Sequence, residues 1–333
     1  MTDVDMKDAA AAAAAGGDKK DAAPVPASIK LEDIVRNIEL IVKAVESNTA
    51  RLTTRAISRN TPIRRRVQAD VLCDALAKLL PDDCPHKAEL TQLLSKLPSE
   101  AVVEPPPAEP MEVDSEAAKK EAETAAAASA KKQAAAEAAV AAAVAAALPE
   151  VEVYLSTLAL TTLLRHKANA DALAVAPKLL ERAVSFNRRT LDSLAAKMVF
   201  YYSLAFETSG RLPEARPRLL ALHRTCCLRQ DVDFMDLHDE IGQATTLNLL
   251  LRNLLSQNLL DQAYKLASKT NFPESCSNNQ FCRYLYYMGR IHALQLDYTD
   301  AYTKLMQSSR KVPQNTAMGF QRAAQKLVII VQV

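Results

Sequence analysis

The chain has 333 residues, of which 41 are basic and 39 acidic, giving a formal net charge of +2. So balanced a charge gives the whole chain no long-range pull toward nucleic acid or an anionic membrane surface. The acidic start "MTDVDMKD" lacks the apolar core of a secretory signal, and six cysteines without an Asn-x-Ser/Thr sequon point to free thiols in a reducing compartment, the cytoplasm or nucleus.

Residues 1–28 are mostly Ala, Asp, Lys and Pro, which cannot bury enough surface to offset ordering entropy, so a disordered tail is expected. A small N-terminal helical region is expected over 29–98. "LEDIVRNIELIVKAVES" lines up Leu31, Ile34, Val35, Ile38, Ile41, Val42 and Val45, and "VQADVLCDALAKLLPDD" lines up Val67, Val71, Leu72, Leu76, Leu79 and Leu80. "KAELTQLLSKLP" reads as a shorter helix ended by Pro98. Between the first two lies "RLTTRAISRNTPIRRR", with Arg51, Arg55, Arg59, Arg64, Arg65 and Arg66 and no acid. Arg51, Arg55 and Arg59 share one helical face. A nucleic-acid patch and a protein contact both fit. No aromatic interleaves for base stacking, which favours a solvated face or an acidic partner protein.

Residues 99–149 read as a low-complexity linker: a Pro and acidic tract, then an Ala-rich stretch that is partly helical on its own. The Ala-rich stretch is not a membrane span, because Ala contributes little transfer energy and Glu137 interrupts it. The strongest apolar run, "LVIIV", is far short of the roughly 20 residues that cross a bilayer.

From residue 150 to 333 everything reads as helix, from "YLSTLALTTLLRH" through "TLDSLAAKMVFYYSLAFETS" and "CRYLYYMGRIHALQLD" to "MGFQRAAQKLVIIVQV". Alternating β-branched runs and Asn-Gly hairpins are absent, so the fold class is all-α, a TPR-like α-solenoid of helical hairpins. "RLPEARPRLL", "LLDQAYKLAS" and "YTDAYTKLMQ" place Ala215, Ala263 and Ala301 alike, and twelve residues earlier stand Ser203, Leu251 and Gly289. Small residues at both positions let two helices cross closely. Ser203 with Ala215 and Gly289 with Ala301 meet that rule, while Leu251 predicts a wider middle crossing.

No nucleotide-binding, nucleophile-elbow or zinc-protease motif occurs, so neither cofactor nor catalytic residue is expected. "DVDFMDLHDE" (Asp231, Asp233, Asp236, His238, Asp239, Glu240) is rich in metal-ligand types, but it lacks calcium-loop spacing and glycine. It reads as a solvated loop whose acids favour the start of the next helix. Cys84 with His86, the adjacent Cys226 and Cys227, and Cys276 with Cys282 find no second ligand pair for zinc. His166, His223 and His292 read as packing or surface residues.

"NRRTLDSLAAKMVFYYSLAFE", "GQATTLNLLLRNLLSQNLLDQAYKLASK" and "NNQFCRYLYYMGRIHALQLDYTDAYTKLMQSSRKVPQNTAMGF" closely resemble the PCI-type regulatory subunit 3 family of the 26S proteasome, scaffold subunits of the regulatory-particle lid. The resemblance covers about Glu150 to Val333, and the linker's "PMEVD" is similar too. It implies TPR-like repeats leading into a PCI domain from about residue 284, partners among lid and regulatory-particle subunits, and no catalytic residues. In that family the chain runs on through a winged helix, so a chain truncated before it is expected, with an exposed apolar last helix at Phe320, Leu327 and Val331. Cys226–Leu237 is expected to be an insertion. The alternative is a free TPR-like adaptor for peptide tails. "AAKMVFYYSLAFE", "TTLNLLLRNLL" and "YLYYMGRIHAL" are apolar around their whole circumference, which points instead to permanent assembly.

Overall fold

The computed structural model describes residues 31–82, 84–97, 147–186, 188–228, 239–273, 276–312 and 317–332. The expected tail, nearly all of the expected linker and residues 229–237 of the expected insertion lie outside them. Among the described residues there are thirteen α-helices, one 3₁₀ turn and no strand. They fall into two compact units divided after Gly242.

The first unit holds α1 (Leu31–Glu46), α2 (Ala50–Arg66), α3 (Ala69–Leu79), α4 (Lys87–Ser95), α5 (Leu148–Arg165), α6 (Asn169–Ser185), the 3₁₀ turn (Arg189–Leu191), α7 (Asp192–Thr208) and α8 (Leu212–Leu228). Its centre is α5, where every residue from Glu150 to Leu163 is buried. A helix apolar around its whole circumference needs cover on every side, and one partner helix cannot give that. Here α1–α4 supply part of the cover. The Asn37 side-chain amide donates to the Tyr154 hydroxyl at 3.1 Å, Arg165 donates to the Val67 carbonyl, and Lys178 pairs with Glu89 at 2.6 Å. The sequence suggested a separate region over 29–98 and a repeat domain beginning at 150. The structure instead places the first stretch in one unit with the repeat helices up to Gly242 and divides the expected repeat domain there.

The buried carboxylates of α5 are compensated. Glu152 accepts from Arg182 at 3.0 and 3.4 Å, and Glu150 accepts from the Thr190 hydroxyl at 2.6 Å and from Arg188 at 3.4 Å. A buried charge left without such partners would cost several kcal/mol.

The division between the units falls within α9 (Glu240–Ser256), and the second unit continues with α10 (Leu260–Lys269), α11 (Asn278–Leu294), α12 (Tyr298–Lys311) and α13 (Met318–Gln332). Leu247, Leu251, Leu254, Leu255, Ala263, Ala267 and Ile291 form one core. Phe272 stacks on Tyr284 at 4.4 Å beside it. Ala301, Leu305, Val328 and Val331 form a second, joined by Leu327 and Tyr302.

Five hairpins share one turn. After α1, α5, α7, α9 and α11 a single residue takes a left-handed backbone: Asn48, Lys167, Gly210, Asn258 and Leu296, with φ between 48° and 72°. In each turn that residue's N–H bonds to the carbonyl three residues back, and the next N–H bonds to the carbonyl five back, as in Leu296 to Ala293 and Asp297 to His292. This is the Schellman closure of a helix C-terminus. Counting seven residues back and five forward from each left-handed residue gives Ile41 and Thr53, Leu160 and Ala172, Ser203 and Ala215, Leu251 and Ala263, and Gly289 and Ala301. All ten are buried.

Candidate interaction surfaces

The described residues assemble no reaction centre. Among them, no group of three His, Cys, Asp or Glu is placed to hold a metal ion. Asp231, Asp233, Asp236 and His238 lie outside the described residues. Asp239 caps α9, its carboxylate accepting the Gly242 N–H at 2.8 Å. The Cys226 thiol donates to the same carboxylate at 3.5 Å. Burial first, and then the Asp239 charge, pushes that thiol up and keeps it protonated, the opposite of what a nucleophilic cysteine needs. Burial lowers His223, whose ring lies 3.8 Å from the Cys227 sulfur. His166 approaches Arg165 and His292 approaches Asp297, each on a helix end.

Two surfaces remain. The first is α2. Its inner face buries Thr53, Ala56 and Ile63, and Arg64 is tied to α7 by donating to the Tyr201 hydroxyl at 2.5 Å. Arg51, Arg55, Arg59, Arg65 and Arg66 stand exposed on the outside.

The second lies where α11, α12 and α13 meet, an open groove of about 580 Å³ lined by Arg290, Ala293, Leu294, Tyr298, Leu327 and Ile330 among others. The last helix corrects the sequence expectation here. Phe320 is half-buried with its ring edge-on to Tyr286 at 5.3 Å, Leu327 packs on the Ala301–Leu305 core, and Val331 is buried in it. The periodic stripe is apolar because it packs on α11 and α12. Besides Met318 at its start, the exposed large apolar residues of α13 are Ile329 and Ile330, 62% and 68% exposed, rotated off that stripe by the 100° step per residue. Two adjacent isoleucines carry no periodic signal, so the spacing rule passed over them.

The repeat-packing residues sit as follows. A Cβ built on Gly289 would lie 2.6 Å from Leu305 Cγ and 3.3 Å from the Ala301 carbonyl oxygen. Ser203 and Ala215 are buried on α7 and α8, and Leu251 and Ala263 share one core cluster. Of the three helices expected to be apolar all round, α9 is buried at every residue from Gly242 to Leu251, α7 leaves Lys197 exposed with Phe200 and Leu204 half-buried, and α11 buries only Cys282, Leu285, Gly289 and Ile291.

The profile of a family described as PSMD3-like, N-terminal TPR repeats, matches residues 30–333. A 26S proteasome non-ATPase regulatory subunit 3 of Dictyostelium discoideum is 35% identical over 336 aligned residues, spanning 100% of this chain and 60% of that protein. A probable 26S proteasome regulatory subunit rpn3 of Schizosaccharomyces pombe is 35% identical over 310 residues, 93% of this chain and 54% of its own length. A probable non-ATPase regulatory subunit 3 of Daucus carota is 46% identical over 187 residues, 56% of this chain and 36% of that protein. The chain thus spans between 36% and 60% of these relatives' lengths. The match from residue 30 takes in α1–α4, the helices that cover α5.

Proposed function

The chain belongs to the PSMD3-like family with N-terminal TPR repeats, and on that premise we propose that it is a non-catalytic structural subunit of the 26S proteasome lid, supporting ATP-dependent degradation of ubiquitinated proteins. The observation that carries this reading is the span of the likeness: relatives named as proteasome regulatory subunits align with 93–100% of the chain. The helices support it as well. α5 is buried at every residue from Glu150 to Leu163, so it presents no polar inner wall of the kind that a free adaptor offers to a peptide tail. The partners on this reading are other lid and regulatory-particle subunits, in cytoplasm and nucleus, with no part for membrane or nucleic acid.

Reconstitution tests the proposal. The purified chain is mixed with individually purified lid subunits and followed by size exclusion and crosslinking mass spectrometry. A co-eluting complex with at least one lid subunit is expected. A chain that elutes alone beside every one of them overturns the reading.

A further inference from the structure

Helix α2 carries six arginines and no acidic residue. Among the described residues none of Arg51, Arg55, Arg59, Arg65 and Arg66 forms an ion pair. Five arginines elsewhere in the same unit do. Arg36 meets Glu32 and Asp33, Arg182 meets Glu152, Arg188 meets Glu150, Arg211 meets Glu214 and Arg218 meets Glu181. An exposed set of like charges repels itself and favours arrival of the opposite charge. The set is also held in place. The buried Thr53, Ala56 and Ile63 and the Arg64–Tyr201 hydrogen bond fasten the inner face of α2, so the outer face is a rigid display.

Spacing narrows the occupant. Arg51, Arg55 and Arg59 follow one another at four residues, about 6 Å per step along a helix. An extended peptide repeats its side chains on one side every second residue, about 6.6 Å apart. The two rows run nearly in step, and each guanidinium fork can take a carboxylate through two parallel hydrogen bonds. Single-stranded nucleic acid would also bring regularly spaced anions, but "ARLTTRAISRNTPIRRR" offers no aromatic ring on which a base could stack. We propose that the arginine face of α2 is a docking strip for an extended acidic segment of another protein, with Asp or Glu at alternate positions. The strip is a property of α2 and stands whether or not the chain is part of a proteasome.

The test is fluorescence anisotropy with the full chain and a labelled peptide of about twelve residues alternating Glu and Ser. Controls are the same peptide with Gln for Glu and a uridine oligonucleotide of similar length. The Glu peptide should bind at about 50 mM salt, the Gln peptide should not, and binding should weaken as salt rises to about 200 mM. The triple variants Arg51→Glu/Arg55→Glu/Arg59→Glu and Arg51→Gln/Arg55→Gln/Arg59→Gln should each lose about tenfold or more in affinity while melting like the unaltered chain, since the side chains replaced are exposed. Using two triples keeps the test decisive if charge reversal alone disturbs folding. Arg322→Glu/Lys326→Glu on α13 should bind as the unaltered chain does. No binding of the Glu peptide, equal affinity in the Gln triple, or tighter binding of the oligonucleotide overturns the proposal.

Discussion

At Gly289 a single hydrogen decides whether two helices can cross. Leu305 and Ala301 are fully buried, and the Leu305 Cγ lies only 2.6 Å from where a Cβ would go, inside van der Waals contact. Gly289→Leu should therefore destabilise the second unit by roughly 1–3 kcal/mol, read as a lowered thermal or urea midpoint. An unchanged midpoint would mean that α11 and α12 part without penalty. Tyr154 gives a pH signature. Burial pushes its hydroxyl up to about 12 from an ordinary 10, and the Asn37 hydrogen bond opposes that shift only in part. Below about pH 10 the ring is neutral in both folded and unfolded chains, so its contribution to stability is fully present. As pH rises through 10 toward 12 the unfolded chain gives up the proton first, and roughly 2–3 kcal/mol is lost. Tyr154→Phe should flatten the alkaline arm of a stability–pH curve, and an arm unchanged in that variant counts against the assignment. At this scale the sequence was informative about size and silent about direction. The small residues at 289 and 301 were legible by position. Phe320, Leu327 and Val331 were legible as a stripe, but a stripe shows only that a face is apolar, and whether it packs on the chain's own helices depends on where those helices run.

The repeating element is the hairpin, and its turn was hidden from the sequence for a physical reason. A Schellman closure is made by backbone N–H and carbonyl groups, so Asn, Lys, Gly, Asn and Leu can all occupy its left-handed position and leave no shared letter. The small-residue rule found three hairpins and missed two. In the missed pair the first helices carry Ile41 and Leu160, and α2 has Thr53 where the other hairpins have alanine. The turn also makes a prediction. Leu296 is 70% exposed, so its side chain gains little from packing while its Cβ crowds a left-handed backbone at φ 72°. Leu296→Gly should raise stability by about 1 kcal/mol despite the greater freedom it gives the unfolded chain. A drop in the urea midpoint would show that Leu296 contributes through contacts instead.

Across the molecule, the helical class and the order of helices could be read from periodicity, whereas the grouping of helices could not. A low-complexity stretch between residues 98 and 147 looks like a domain boundary, yet α5 beyond it takes its cover from α1–α4 before it. Deleting residues 1–97 should therefore leave Tyr154, Leu155 and Leu158 facing water. The product should aggregate or melt well below the full chain, measured by light scattering and calorimetry. A fragment from 98 onward as stable as the parent would restore the boundary that composition suggested. The same arrangement sets a timetable for a chain that is still being made. Asn37 and Tyr154 are 117 residues apart. At a synthesis rate of about 5–20 residues per second, the first helices wait roughly 6–23 s before the helix they enclose has even been made. Through that interval α1–α4 have only one another to rest against, and the nascent chain offers whatever apolar surface α5 will later cover to any chaperone that stands at the ribosome.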